Sequence, residues 1–197
     1  MILRGQLPSG TRLVELDIAA QMGTSQGPVR EALQRLEQDG LVERQSRSGT
    51  FVTTVSIDEV HEIFEVRSMI EQFAVRRIVS RVSPAQLDEL KSAIELMRAA
   101  GRAGDMVALV DADMEIHLRL CTWATHPTLL RAWMPLYTQV QRFIVQTHPR
   151  YFHNLAELAD RHAPLLDVLC GDADAAAQWI HDHIMYIWHR LENEGEM

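Results

Sequence analysis

Met22-Gly23-Thr24-Ser25-Gln26-Gly27-Pro28-Val29-Arg30-Glu31-Ala32-Leu33-Gln34-Arg35-Leu36 decides how this 197-residue chain is read. Gly23 ends one helix, and Thr24-Ser25 offers an N-cap for the next. Pro28 falls in the first turn of that second helix, where its missing N–H costs nothing. Val29, Ala32, Leu33 and Leu36 then recur at helical spacing until Asp39-Gly40. Upstream, Pro8-Ser9-Gly10-Thr11 is a turn. A helix follows from about Glu15 to Met22, with Leu16, Ile18, Ala19 and Met22 as its apolar positions. Downstream, Leu41-Val42-Glu43-Arg44 and Thr50-Phe51-Val52-Thr53 read as two strands around the turn Ser46-Arg47-Ser48-Gly49.

Helix, tight turn, helix and hairpin is the layout of a winged helix-turn-helix. Its second helix enters the major groove with its N-terminal residues against the bases. Here that end carries Ser25, Gln26 and Arg30. Gln pairs bidentately with adenine, and Arg holds a phosphate or a guanine. Arg44 and Arg47 on the hairpin are placed for the backbone or the minor groove. The competing reading is a small helical module with solvated arginines.

From Ile57 onward no strand signal remains. Six helical stretches are predicted, at about 57–80, 84–101, 104–122, 127–148, 152–170 and 173–192. Ser83-Pro84, Gly101 to Gly104, His126-Pro127, His148-Pro149 and Gly171-Asp172 are the breakers between them. Long helices with short connections predict an antiparallel bundle. The fold class is therefore mainly α: a winged helix-turn-helix over 1–55, then a six-helix bundle over 56–197.

Charge divides the chain at the same place. The net charge is −8. Residues 1–55 hold six Arg and six acids, so all of the negative balance falls on 56–197, and all nine His lie between His61 and His189. No apolar run approaches the ~18 residues of a membrane span, and the start lacks a signal-peptide plan. Cys121 and Cys170 suggest neither a disulfide framework nor a metal site. The expectation is a cytoplasmic protein with no membrane partner.

Pro8-Ser9-Gly10-Thr11-Arg12-Leu13-Val14-Glu15, Ser25-Gln26-Gly27-Pro28-Val29-Arg30-Glu31-Ala32-Leu33, Leu36-Glu37-Gln38-Asp39-Gly40-Leu41-Val42 and Ser48-Gly49-Thr50-Phe51-Val52 closely resemble the GntR family of bacterial transcription regulators. The resemblance implies that Arg30 contacts phosphate and that Gly49 is the wing-tip glycine. Gln26 and Leu16 stand where members often carry Arg, which bears on the operator sequence. The resemblance also implies a first helix beginning about 15–20 residues before Gly5-Gln6-Leu7-Pro8, of which Ile2-Leu3-Arg4 is the last turn. With that helix largely missing, Leu33 and Leu36 are expected to lose part of their cover.

In the third bundle stretch, Val110, Asp113, Met114, His117, Leu118 and Cys121 share one face. Asp113 and His117 are i, i+4 neighbours, so both can address one ion. A buried Asp on an apolar face costs several kcal/mol unless it is paired or metal-bound. His162 lies among Leu158, Leu165, Leu166 and Leu169, and His183 lies on the stripe Ile180, Ile184 and Ile187. Three imidazoles and one carboxylate suit Zn²⁺, Ni²⁺ or Mn²⁺ with positions left open. The competing reading is a core Asp–His hydrogen bond with unrelated histidines. His181 is a rival to His183, but two positions on a helix are ~200° apart, and the apolar stripe selects His183. His61, His148, His153 and His189 are expected on the surface or at caps, and Trp123, Trp133, Trp179 and Trp188 in the core.

Asp113-Met114-Glu115-Ile116-His117, His162 with Leu165-Leu166 and Gly171-Asp172, and Ala176 up to His183-Ile184 resemble the FCD effector domain of FadR-like GntR regulators. Many such domains bind a divalent metal through an Asp and three His. The resemblance implies Asp113, His117, His162 and His183 as ligands. Arg67-Ser68-Met69-Ile70-Glu71 matches the family's Arg and Glu. Arg67 either clamps an effector carboxylate or pairs with Glu71, and His126 either lines the pocket or caps a helix.

The expected function is a metabolite-responsive regulator. A homodimer grips double-stranded operator DNA with a pseudo-palindromic sequence, and a divalent metal and a small organic acid in the bundle modulate that grip. One rival is a metal-dependent hydrolase, which lacks a general base because Glu115 projects away from Asp113. The other is an interaction module that has lost DNA binding.

Overall fold

The computed structural model describes residues 1–3, 6–46, 48–54, 56–152 and 154–193. They fall into two compact units, Met1–Ile57 and Asp58–Met197.

In the first unit, β1 (Arg12–Leu13), α1 (Glu15–Met22), α2 (Gln26–Gln38), β2 (Val42–Gln45) and β3 (Gly49–Val52) follow in order. The sheet runs β1-β3-β2 and is antiparallel throughout, with Val42 opposite Val52, Arg44 opposite Thr50 and Arg12 opposite Phe51. β1 is a third strand that sequence periodicity could not announce, because two residues show no alternation. Gly23 ends α1 in the left-handed conformation at φ 63°, leaving Thr24 N–H to bond the Ala19 carbonyl at 3.0 Å. Ser25 opens α2 from an extended backbone without a side-chain capping bond.

Leu13, Ala19, Val29, Leu33, Leu41, Val42 and Val52 form the core of this unit. Two expectations change here. Leu16 and Met22, at 61% and 73% exposed, point outward, so α1 buries only Ala19 and part of Ile18. Leu33 keeps its cover: it is 3% exposed, because Ile2 is itself buried in this core and Leu3 and Leu7 pack against it. Leu36 is half-buried.

The second unit is helical. It contains α3 (Ile57–Ile78), α4 (Pro84–Ala103), α5 (Met106–Trp123), α6 (Pro127–Tyr151), α7 (Ala156–Asp160), α8 (Leu165–Val168) and α9 (Ala173–Asn193). Ser83 and Gln86 close a reciprocal capping box with Pro84 at the first helical position, and Asp105 caps α5 through Ala108 N–H. The predicted fifth helix is broken. Across Arg161–Pro164 the backbone makes three-residue turns, with Ala163 N–H on Asp160 O and Leu165 N–H on His162 O, and Pro164 has no N–H to continue an α-helical ladder.

One expected breaker is not a breaker, and in the stretch Gly101 to Gly104 it is Gly104, at φ 68°, that ends the helix. α6 runs through Pro149 to Tyr151, and α4 runs through Gly101 to Ala103. Gly101 is a contact residue instead: a Cβ there would lie 2.8 Å from Ala156 Cα and N. Helix α4 packs on α5 and α7, α5 on α6, and α8 on α9. Trp133 and Trp188 are fully buried, the latter against Phe64 and Phe143, whereas Trp123 and Trp179 are half-buried.

Candidate functional site

Asp113 and His117 stand one turn apart on α5, His162 sits in the turn between α7 and α8, and His183 comes from α9. One ligand atom from each lies within 4.8 Å of the others. The histidines are thus one cluster. The His162 and His183 rings are 4.3 Å apart, His117 stacks on His183 at 5.4 Å, and Trp179 lies flat on the other side of His183 at 4.9 Å.

Two of the imidazoles are already oriented. His117 Nδ1–H donates to Glu71 Oε2 at 2.5 Å, and His162 Nδ1–H donates to the Leu158 carbonyl at 2.9 Å. Both commitments leave Nε2 for the cluster, as outer hydrogen bonds do for metal-binding histidines. His162 Nε2 is buried 3.0 Å from Asp113 Oδ1 yet makes no well-formed hydrogen bond. With Nδ1 protonated, a neutral His162 turns a lone pair toward a carboxylate, and a cation between them removes that conflict. The donor set and this orphaned nitrogen fit a divalent metal.

Electrostatics favour an ionised Asp113 and neutral His117 and His183. Burial pushes Asp113 up, but the close His162 contact, His117 and the charge of Arg67 outweigh this and hold it well below the usual carboxylate range. Burial drives His117 down, partly countered by Glu71, and drives His183 well below the ordinary histidine value. Glu71 is itself fully buried. Burial raises it, but Arg67 and His117 bring it down to about 2. It accepts from Arg67 Nε at 2.7 Å and from Trp133 Nε1 at 2.9 Å.

The cluster forms part of the wall of a cleft of about 490 Å³ including its mouth. Arg67, His148, Phe152, Arg161 and Tyr186 line it together with aliphatic side chains. In the first unit, Ser25, Gln26, Arg30 and Arg44 are exposed, and Arg30 Nη2 bonds Glu15 Oε2 at 2.9 Å. Gly49 has φ 122°, and a Cβ there would meet Arg12 Nε at 3.2 Å, so both backbone and space favour glycine.

The pattern described as bacterial regulatory proteins, gntR family, matches residues 1–52, and the FCD domain matches residues 62–185. A probable D-xylose utilization operon transcriptional repressor of Paenarthrobacter nicotinovorans is 31% identical over 93% of this chain and 80% of that protein. The chain belongs to the GntR family and carries an FCD domain. A gluconate operon transcriptional repressor of Bacillus licheniformis is 28% identical over 98% of the chain and 81% of that protein. The fold of Escherichia coli McbR/YncC superposes with a TM-score of 0.81 at 23% identity, covering 98% of this chain and 92% of that one. The protein is a DNA-binding transcription regulator, as its GntR relatives are, and not an enzyme. Glu115 pairs with Arg119 at 2.9 Å and is absent from the lining of the FCD cleft.

The FCD domain settles some choices among residues. Arg67 is 2% exposed and pairs with Glu71 through Nε, while its Nη2 is buried without a hydrogen-bond partner and the residue lines the cleft. His126 is a cap rather than a cleft residue, its Nδ1 accepting from Leu129 N–H at 3.1 Å. His181 turns to Ser68 Oγ at 2.9 Å. His148, expected at the surface, lines the cleft. Arg47 and His153 lie outside the described residues. Sequence reasoning missed His148, Arg161 and the outer role of Glu71. Glu71 had one available signal, its i, i+4 spacing from Arg67.

Proposed function

We propose that this GntR regulator is a metabolite-responsive repressor. Its FCD domain holds one divalent ion on Asp113, His117, His162 and His183, with Zn²⁺, Ni²⁺ or Mn²⁺ suiting the three imidazoles and one carboxylate. The observation that carries this reading is the convergence of four ligand atoms within 4.8 Å, two of them on imidazoles whose other nitrogen is already bonded. The ion supplies a Lewis acid for oxygen donors. The unpartnered Nη2 of Arg67 supplies a charge-assisted hydrogen bond, so a small organic acid is the effector class. The relatives named for gluconate and D-xylose operons support repression and a sugar-derived acid.

The head reads double-stranded operator DNA through Ser25, Gln26 and Arg30 at the start of α2, and through Arg44 and Gly49 on the wing, with Arg47 between them in the sequence. A homodimer matches the two half-sites of a pseudo-palindrome. Val66, Met69 and Phe73 lie three and four residues apart on one exposed stripe of α3, an apolar face suited to a second copy. The effector shifts the dimer between two states of unequal operator affinity.

Elemental analysis of the purified protein tests the centre. His162→Ala and His183→Ala are expected to lose the metal while retaining helical circular dichroism. Full metal content in both variants refutes the assignment. Calorimetry with gluconate on stripped and reloaded protein then tests the acid, and equal affinity in both forms refutes a metal-bridged effector.

A further inference from the structure

The cleft has a second cationic group that the metal centre does not use. Arg161 is half-buried, and its guanidinium carbon lies 3.2 Å from the centre of the Tyr186 ring. Among the described residues no carboxylate is seen to pair with it; burial disfavours its charge, Tyr186 favours it, and the nearby cation Arg190 opposes it. A partly desolvated guanidinium beside a like charge is an unfavourable arrangement for folding alone. Stacking on Tyr186 holds its plane in place while leaving its in-plane N–H fork for a ligand.

The two poles of the cleft are distinct. The charges acting on Asp113 are those of His162, His117 and Arg67, whereas those acting on Arg161 come from Tyr186 and Arg190. Asp113 is the one acidic residue among those that line the cleft. The walls otherwise include Phe64, Leu109, Ile144, Phe152 and Ile187, which offer a short carbon chain apolar cover and no charge. In a protein of net charge −8, such a cleft attracts an anion only through these local centres.

We infer that the effector is a dicarboxylate, with one carboxylate at the Asp113–histidine centre and Arg67, and the other on the Arg161 guanidinium. This rests on the proposed metal-and-carboxylate reading and adds the second recognition point. A planar fork on carboxylate is a bidentate match, so Arg161 discriminates diacids from monoacids of equal length.

Calorimetry on zinc-reconstituted full-length protein tests the inference with matched pairs: butanoate against succinate, pentanoate against glutarate, and gluconate against glucarate. The diacid of at least one pair is expected to bind about ten-fold tighter or more, the range of a hydrogen bond to a charged group. Arg161→Gln is expected to erase that advantage while leaving monoacid affinity and zinc content unchanged. Because Arg161 adjoins His162, zinc is measured in every variant, and Arg161→Lys provides a second test by keeping the charge and losing the fork. It should retain part of the preference. Equal affinity within every pair, or equal weakening of both acids by Arg161→Gln, overturns the inference while leaving the metal-bound acid intact. Zinc-loaded protein that binds no acid overturns the underlying reading, and the inference falls with it.

Discussion

Glu71 Oε2 and His117 Nδ1 meet at 2.5 Å in a fully buried contact between α3 and α5. This contact fixes the tautomer of His117 and points its Nε2 at Asp113, His162 and His183. Glu71→Gln keeps the shape but weakens the acceptor and frees the ring to choose its tautomer. Metal affinity is expected to fall about 10–100-fold, the usual effect of losing such an outer partner. A chelator competition titration measures it, and unchanged affinity would contradict the role.

The same carboxylate also neutralises Arg67 and takes the Trp133 N–H. Glu71→Ala therefore leaves a buried guanidinium, an indole and an imidazole without their acceptor. We expect a loss of about 3–5 kcal/mol in metal-free protein, typical of breaking one side of a buried ion pair. Urea unfolding checks this. A loss below ~1 kcal/mol would mean that water or the cleft already compensates these groups.

Acid should destabilise the metal-free protein in two stages. Burial pushes His148 down to about 4, whereas the unfolded chain protonates near ~6.5. Between those values the unfolded state binds more protons, so stability falls as pH drops through that window. His117 and His183 are lowered as well and add to the same slope. Glu71 sits at about 2, below its unfolded value of ~4.3, so its contribution is present above pH ~4.3 and is lost below it. The urea midpoint should decline continuously from pH 7 to pH 3, and His148→Gln should flatten the upper part. A midpoint that is level across pH 7 to 4 would refute the assignment.

In the head, Arg30 is held by Glu15 across the helix-turn-helix. Arg30→Ala should weaken binding to every DNA sequence and reduce the salt slope by about one unit. Glu15→Gln should do the opposite, since Arg30 no longer exchanges a carboxylate for a phosphate. Gln26→Ala should alter preference at one base position. Fluorescence anisotropy across salt concentrations separates these outcomes, and equal salt slopes for wild type and Arg30→Ala would remove Arg30 from the phosphate contacts.

The α3 stripe carries Met69 at 61% and Phe73 at 47% exposed. Met69→Glu with Phe73→Glu should convert a two-chain species into one chain by light scattering. It should leave metal content unchanged, because neither residue lines the cleft. A wild type that is already monomeric would refute the dimer.

Much of this was legible because the signals were local. Gly23, Ser25 and Pro28 mark the helix-turn-helix junction through backbone preferences, and Asp113 with His117 needs only the helical repeat. His162 was recognisable as a candidate ligand but not as a turn residue, since Pro164 breaks a run whose apolar period continues on either side. Arg161 and His148 gave no sequence signal. In one dimension each is an ordinary polar residue, and only the packing of α6, α7 and α9 brings them to one cleft. Leu16 and Met22 failed in the opposite sense: their spacing suits a buried face, but α1 is short and meets the core through Ala19.

Gly101 supplies no atom to the cleft, yet it governs the depth at which the His162 segment can settle. With 2.8 Å between a would-be Cβ and the Ala156 backbone, no side chain can be accommodated unless the chain ahead of His162 moves outward. The position of His162 relative to the other three candidate ligands therefore depends on a contact at the start of α7 that leaves no room for a methyl group. If the cluster holds the proposed ion, its metal preference is open to tuning by a substitution at Gly101, which touches none of the four candidate ligands and no wall of the cleft.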